Sequence, residues 1–95
     1  METVVVTRHT ALVQLLRERG IIGDGAKVIA HATPDDVRGK HVVGVLPLSL
    51  AALAATVTEI PLALTPEDRG KELGIERLRE IAGSAVTYKV TVVKN

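Results

Sequence analysis

The chain has no cysteine, no phenylalanine and no tryptophan, and only one tyrosine. Without cysteine there are no disulfides, no thiolate nucleophile and no sulfur-ligated metal site, which fits a reducing compartment. Without aromatics the core must be built from Val, Leu, Ile and Ala, and a platform for stacking the bases of single-stranded RNA is not expected. An excess of charge is missing too: twelve Lys and Arg face eleven Asp and Glu, for a formal net charge of +1. That balance is too even for a protein gripping long nucleic acid through its phosphates, whereas a small anionic ligand needs only a local cationic cluster. Met1-Glu2-Thr3-Val4 lacks the basic start and apolar stretch of a signal peptide. The longest apolar region, Val42 to Leu64, is broken by Pro47, Glu59 and Pro61. No membrane span is therefore expected, and the cytoplasm is the expected location.

Ninety-five residues make a single domain, 1–95. Hydrophobic residues form 46% of the chain, but they are small, so a core of them buries little area and leaves much of it exposed. A homo-oligomer, most simply a twofold dimer, is the expected remedy.

Val4-Val5-Val6 is a short β-branched run that reads as a central strand, with Arg8-His9-Thr10 at its carboxyl end. Leu12, Val13, Leu15 and Leu16 recur at helical spacing, and Gly20 supplies the stop. A second strand is expected from Lys27 to Ala32, then a polar stretch, His31 to Lys40. Thr33-Pro34 makes that stretch a loop or a single capped helical turn. His41 to Leu46 reads as a third strand and Leu50 to Val57 as a helix apolar all round, hence buried. Glu59 to Leu64 reads as a fourth strand, with Pro61 near a strand start or at an edge. Thr65-Pro66-Glu67-Asp68 is a capped helix start, and Ile75 to Ala82 is the main third helix. Val86, Tyr88, Val90 and Val92 alternate with polar residues, as in a strand with one wet face. The order β-α-β-β-α-β-α-β predicts an α/β domain of Rossmann-like kind, with parallel strands and right-handed crossovers.

In such a sheet the strand-to-helix loops share one edge. Arg8-His9-Thr10, His31 through Lys40 and Pro47-Leu48-Ser49 are then expected to meet there. Two imidazoles, several cations and several hydroxyls (those of Thr10, Thr33 and Ser49) suit a phosphate-bearing ligand, as do the helix starts near Thr10 and Ser49. Taken one at a time, the same residues serve equally well as capping and solvated turn residues. No G-x-G-x-x-G or Walker loop follows a strand, and Ser49 lacks the glycine-flanked elbow of hydrolases. His9, His31 and His41 lack metal-ligand spacing, so neither a metal nor any other cofactor is expected, and His41 reads as structural.

Val4-Val5-Val6-Thr7-Arg8-His9, His31 through Lys40, Gly44-Val45-Leu46-Pro47-Leu48 and Glu59-Ile60-Pro61-Leu62 together resemble the small CRISPR-associated family called Csx-sixteen. The resemblance runs in order from Val4 to about Val90, through Arg69-Gly70-Lys71-Glu72-Leu73 and Thr87-Tyr88-Lys89-Val90. It implies a partner of type III CRISPR systems, which signal through cyclic oligoadenylates. It also implies a role similar to that of ring nucleases, small CARF-like homodimers that bind cyclic tetra-adenylate and linearise it.

Cutting such a ring needs no water nucleophile. A ribose 2′-hydroxyl attacks the neighbouring phosphate, leaving a 2′,3′-cyclic phosphate and a 5′-hydroxyl. The protein holds the groups in line, stabilises the phosphorane charge and protonates the leaving oxygen. Arg8 with Lys40 or Arg38 suits the charge, and His9 or His31 suits the proton transfer. Ser49 is suited to donating to a phosphate oxygen. Asp35 and Asp36, being adjacent, do not form a magnesium-holding cluster, so the expected phosphodiesterase is metal-independent. Two rival readings need the same residues or none of them. One is a binding module that sequesters the messenger uncut; the other is an adaptor that docks through Leu50 to Val57.

Overall fold

A computed structural model of the chain describes residues 2–94. Five strands form one mixed sheet: β1 (Thr3–Val6), β2 (Lys27–Ile29), β3 (His41–Gly44), β4 (Thr56–Glu59) and β5 (Val86–Tyr88), in the order β2-β1-β3-β4-β5. The helices are α1 (Thr10–Glu18), α2 (Pro34–Val37), α3 (Leu48–Ala51) and α4 (Ile75–Ile81), with a 3₁₀ turn at Pro66–Asp68. β1 to β4 are parallel, and β5 pairs antiparallel with β4.

The alternation of side chains along β1 and β3 divides the core into two layers. Val4, Val6 and Val42 pack with Val37, Ala51, Ala54 and Val57 on the face that carries α2 and α3. Val5 and Val43 pack on the opposite face with Val13, Leu16 and Ile22 of α1 and its exit. A third cluster joins α1 to α4 through Leu15, Leu78 and Ile81. α4 is locked further by Arg19, which donates to the carbonyls of Gly83 (2.6 Å) and Ala82 (3.2 Å), and by the Glu18–Arg79 ion pair.

Several expectations change. The apolar stretch 50–57 is not a helix: α3 stops at Ala51, and Thr56-Val57 belong to β4. The cause lies in the backbone. Gly39 N–H donates to Leu53 O at 3.0 Å and Ala55 N–H to Lys40 O at 2.8 Å, so the β3–β4 pairing begins before a longer helix can form. The fourth strand accordingly ends at Glu59 rather than starting there, and Leu62 makes only an isolated antiparallel bridge to Ala82. β2 and β3 end at Ile29 and Gly44, earlier than expected. β5 breaks the all-parallel pattern, and its three residues are exposed on both faces rather than one.

Candidate functional site

The chain leaves β1 toward β2 on one side and then crosses back over it to β3, so the direction of winding reverses between β1 and β3. In open α/β sheets the crevice beyond the carboxyl ends of two such strands is where ligands collect. A cleft of about 360 Å³ lies there, on the α1 face of the sheet. Val6, Leu16, Val43 and Ile60 give it an apolar lining, and Arg8 and His9 bring the polar groups. Gly44 keeps this end of the sheet close-packed. Its φ is +141°, and a Cβ built on it would stand 2.3 Å from Val6 O.

Arg8 and His9 are placed by the turn between β1 and α1. Thr7 Oγ1 accepts from the His9 backbone N–H at 3.1 Å, and the His9 carbonyl accepts the first bonds of α1, from Leu12 and Val13. α1 starts with neither a capping side chain nor an acidic residue in its first turn, so its positive end is left to solvent or to an anion. One guanidinium nitrogen of Arg8 lies 3.2 and 3.3 Å from the two ring nitrogens of His31. Because a guanidinium only donates, the imidazole is the acceptor in this contact. β1 and β2 thus bring Arg8 and His31 together across 23 positions of sequence.

His9 occupies a different position. It borders the cleft, a second cavity of about 220 Å³ under the 62–73 connection, and a shallow hollow with Thr10, Glu72 and Gly74. The cleft and the second cavity share His9, Leu12 and Leu62, so they are neighbouring chambers that adjoin at these residues. Arg69, Gly70 and Lys71 contribute to the second chamber. Gly70 has φ +75°, a left-handed turn conformation that glycine adopts without cost. Sequence reasoning named Arg69 and Lys71 only within the family resemblance, not among the site residues. Two cations flanking a glycine between helix signals was the available clue.

Thr65 and Asp68 hold this connection in shape. The Asp68 carboxylate accepts from the Thr65 backbone N–H (2.9 Å) and hydroxyl (3.0 Å), and from Arg77 at 2.8 and 2.9 Å. Bonding to Arg77, then to the Thr65 N–H, holds the Asp68 carboxyl far below the usual range. The Asp36 carboxyl is lowered by the backbone N–H and then the hydroxyl of Thr33. That pairing makes 33–36 the capped helical turn, one of the two forms the sequence allowed.

The remaining expected residues disperse. Thr10 stays beside His9. Thr33 spends its hydroxyl on Asp36, and Ser49 is exposed in α3, on the other face of the sheet from the cleft. Arg38 and Lys40 do not reach the carboxyl edge. The polar stretch carries the chain back along the sheet, so Lys40 precedes β3 at the amino end, 3.6 Å from Glu2, and Arg38 pairs with Asp35 at 2.7 Å. His41, at the start of β3, lies 3.2 Å from the buried Thr58 hydroxyl and also hydrogen-bonds Thr56, in keeping with a structural role. Among the described residues no three metal-donor side chains cluster, and no helix is long and apolar enough to cross a membrane.

Fold and site define a small α/β protein with cations and an imidazole at a crevice beyond the carboxyl ends of its central strands. Residues 4–91 match the family described as "Putative CRISPR-associated protein (Cas_VVA1548)", and the chain belongs to that family. No curated protein and no solved structure matches it. The CRISPR association implied by the sequence resemblance therefore stands, over nearly the same span.

Proposed function

We propose that the protein is a Csx-sixteen-type ring nuclease, which binds cyclic oligoadenylate, cyclic tetra-adenylate foremost, and linearises it without a metal. The observation that carries this reading is the placement of Arg8 and His9 at the cleft beyond β1 and β3, beside the uncapped start of α1. A phosphodiester there meets a guanidinium, helix N–H groups and an imidazole, while the apolar lining takes nucleoside surface. The roles of the two histidines follow from their partners. His31 meets Arg8 and orients it toward the phosphate; His9, whose side chain caps nothing, donates the proton to the leaving 5′-oxygen as the 2′-oxygen attacks.

A Rossmann-like homodimer belongs to the same reading. At 10.1 kDa a compact monomer exposes about 5,300 Å² by size scaling, whereas this chain exposes 6123 Å². Part of the excess is apolar and contiguous. Val45 (73% exposed), Leu48 (76%) and Tyr88 (49%) line a groove between α3 and β5 that starts at the carboxyl end of β3. A second copy seated on that groove covers it and brings Ser49, beside Leu48, to the subunit boundary. Light scattering at micromolar concentration then gives twice the chain mass.

Incubating the purified protein with radiolabelled cyclic tetra-adenylate, with and without chelator, tests the activity. Linear products ending in 2′,3′-cyclic phosphate and 5′-hydroxyl are expected under both conditions. Products carrying 5′-phosphate, or cleavage that stops in chelator, overturn the mechanism. Tight binding of an uncut ring replaces it with sequestration.

A further inference from the structure

The chamber under the 62–73 connection borders the reacting phosphate only through His9, and its construction is specific. Leu12 and Leu78 of the two packed helices line it, together with Leu62, Leu64 and Leu73. Leu64 is 50% exposed at this wall, an apolar surface left open to water. One carboxylate, Asp68, lines the chamber and another, Glu72, lies close by, and neither pairs with the cations. Asp68 is already bonded to Arg77 and Thr65, and Glu72 borders the separate hollow beside Thr10. No ion pair to Arg69 or Lys71 occurs among the described residues. A space of about 220 Å³ with leucine walls and two unneutralised cations at its edge suits a flat, largely apolar ring carrying an anionic group. Because His9 borders both this chamber and the larger cleft, a ligand spanning both puts a phosphate at His9 and one ring in each chamber.

We infer that this chamber is a nucleobase subsite: it takes the base next to the phosphate held by Arg8 and His9, while Arg69 and Lys71 hold the following phosphate. The inference rests on the reading of the protein as a binder of cyclic oligoadenylate. It adds that recognition covers two successive nucleotides of the ring on one subunit, and that Leu64 and the Arg69-Gly70-Lys71 turn set the affinity for the second.

Calorimetric titration of the full-length protein with cyclic tetra-adenylate at two salt concentrations tests it. The variants are Arg69→Ala/Lys71→Ala, Leu64→Asp and, as reference, Arg8→Ala. All four positions are exposed, and thermal melting checks that each variant folds; Leu64→Ser substitutes for Leu64→Asp if the latter does not. Charge-assisted contacts of the proposed kind make the double variant about 10–100-fold weaker, with a shallower salt dependence. Leu64→Asp is expected to weaken binding by a similar factor. Wild-type affinity in either the double variant or the Leu64 variant, with Arg8→Ala weakened, overturns the subsite and leaves the parent reading intact. Absence of binding by the wild-type protein overturns the parent reading itself.

Discussion

The two ends of the sheet use the same residue types in opposite ways. At the amino end Lys40 is matched with Glu2, and His41 starts a polar chain to Thr58 and on to Thr87, with 2.7 Å between the two threonine hydroxyls. At the carboxyl end His9 caps α1 by its backbone alone, Arg8 meets the His31 imidazole and no carboxylate, and Arg69 and Lys71 edge an apolar chamber. Charge at the first end is consumed in holding strands together; at the second it is left available at a cavity. The kind of side chain therefore says little about function here, and the completeness of its hydrogen bonding says much.

The sharpest way to break the contrast is to change the backbone under the cleft. Gly44→Ala puts a methyl group against Val6 O, 2.3 Å from the built Cβ, in a conformation only glycine tolerates. The positive φ alone costs roughly 1–3 kcal/mol, and β1 must also move away from β3. The expected result is a strongly lowered melting temperature or an insoluble chain, read by differential scanning calorimetry. Gly70→Ala, also at positive φ but with nothing within 4 Å of its Cβ, is expected to cost far less.

A histidine exchange tests the contrast on function. His9→Ala is expected to slow cleavage of cyclic tetra-adenylate by about 10²–10⁴-fold with little change in melting temperature. His41→Ala is expected to do the reverse, keeping the rate and losing about 1–3 kcal/mol because the Thr56 and Thr58 hydroxyls lose a partner. If His41→Ala also abolishes cleavage in a folded protein, the division between the two ends is wrong.

A smaller effect separates the two residues that meet at the cleft. Arg8→Ala is expected to weaken binding of the ring and flatten its salt dependence. His31→Ala, which frees the guanidinium without removing its charge, is expected to reduce the rate more than the affinity. If Arg8→Ala lowers the melting temperature and leaves binding intact, Arg8 is only a structural residue of the sheet edge.

The sequence made the carboxyl end legible where runs were unambiguous. Val4-Val5-Val6 had to be a central strand, α1 followed from the spacing of Leu12, Val13, Leu15 and Leu16, and Arg8 and His9 fell between them. α4 was equally plain, ending one residue earlier than expected. What failed was the segment 50–64, because Ala and Leu satisfy a buried helix or the approach to a buried strand equally well, and only backbone pairing with Gly39 and Lys40 decides. Arg38 and Lys40 were misplaced for a related reason. A polar loop after a strand begins at the carboxyl edge, but its last residues must already have returned to the amino end to enter the next parallel strand. Arg69 and Lys71 were harder to place, because the cations flanking Gly70 mark a turn locally but not what it folds over, and its approach to α1 is made across about sixty positions.

The mildest prediction concerns acid, and it tests whether the connection over the second chamber is held by its carboxylates. Asp68, Asp36 and Glu18 all titrate below their ordinary values of 3.8 for Asp and 4.5 for Glu, through bonds to Arg77, Thr33 and Arg79 respectively. A carboxyl lowered in the folded state takes up its proton more readily when the chain unfolds. Its contribution to stability is thus complete above the ordinary value and is lost as pH falls through the folded-state value. Melting temperature is expected to be flat from neutrality to about pH 5 and to decline below it. Asp68→Asn should flatten the acid limb most, since Asp68 is the carboxyl lowered furthest and the residue joining the 3₁₀ turn to α4. An unchanged acid limb in Asp68→Asn would mean that the leucine contacts alone hold the turn, and that the floor of the second chamber is apolar packing rather than the Asp68–Arg77 pair.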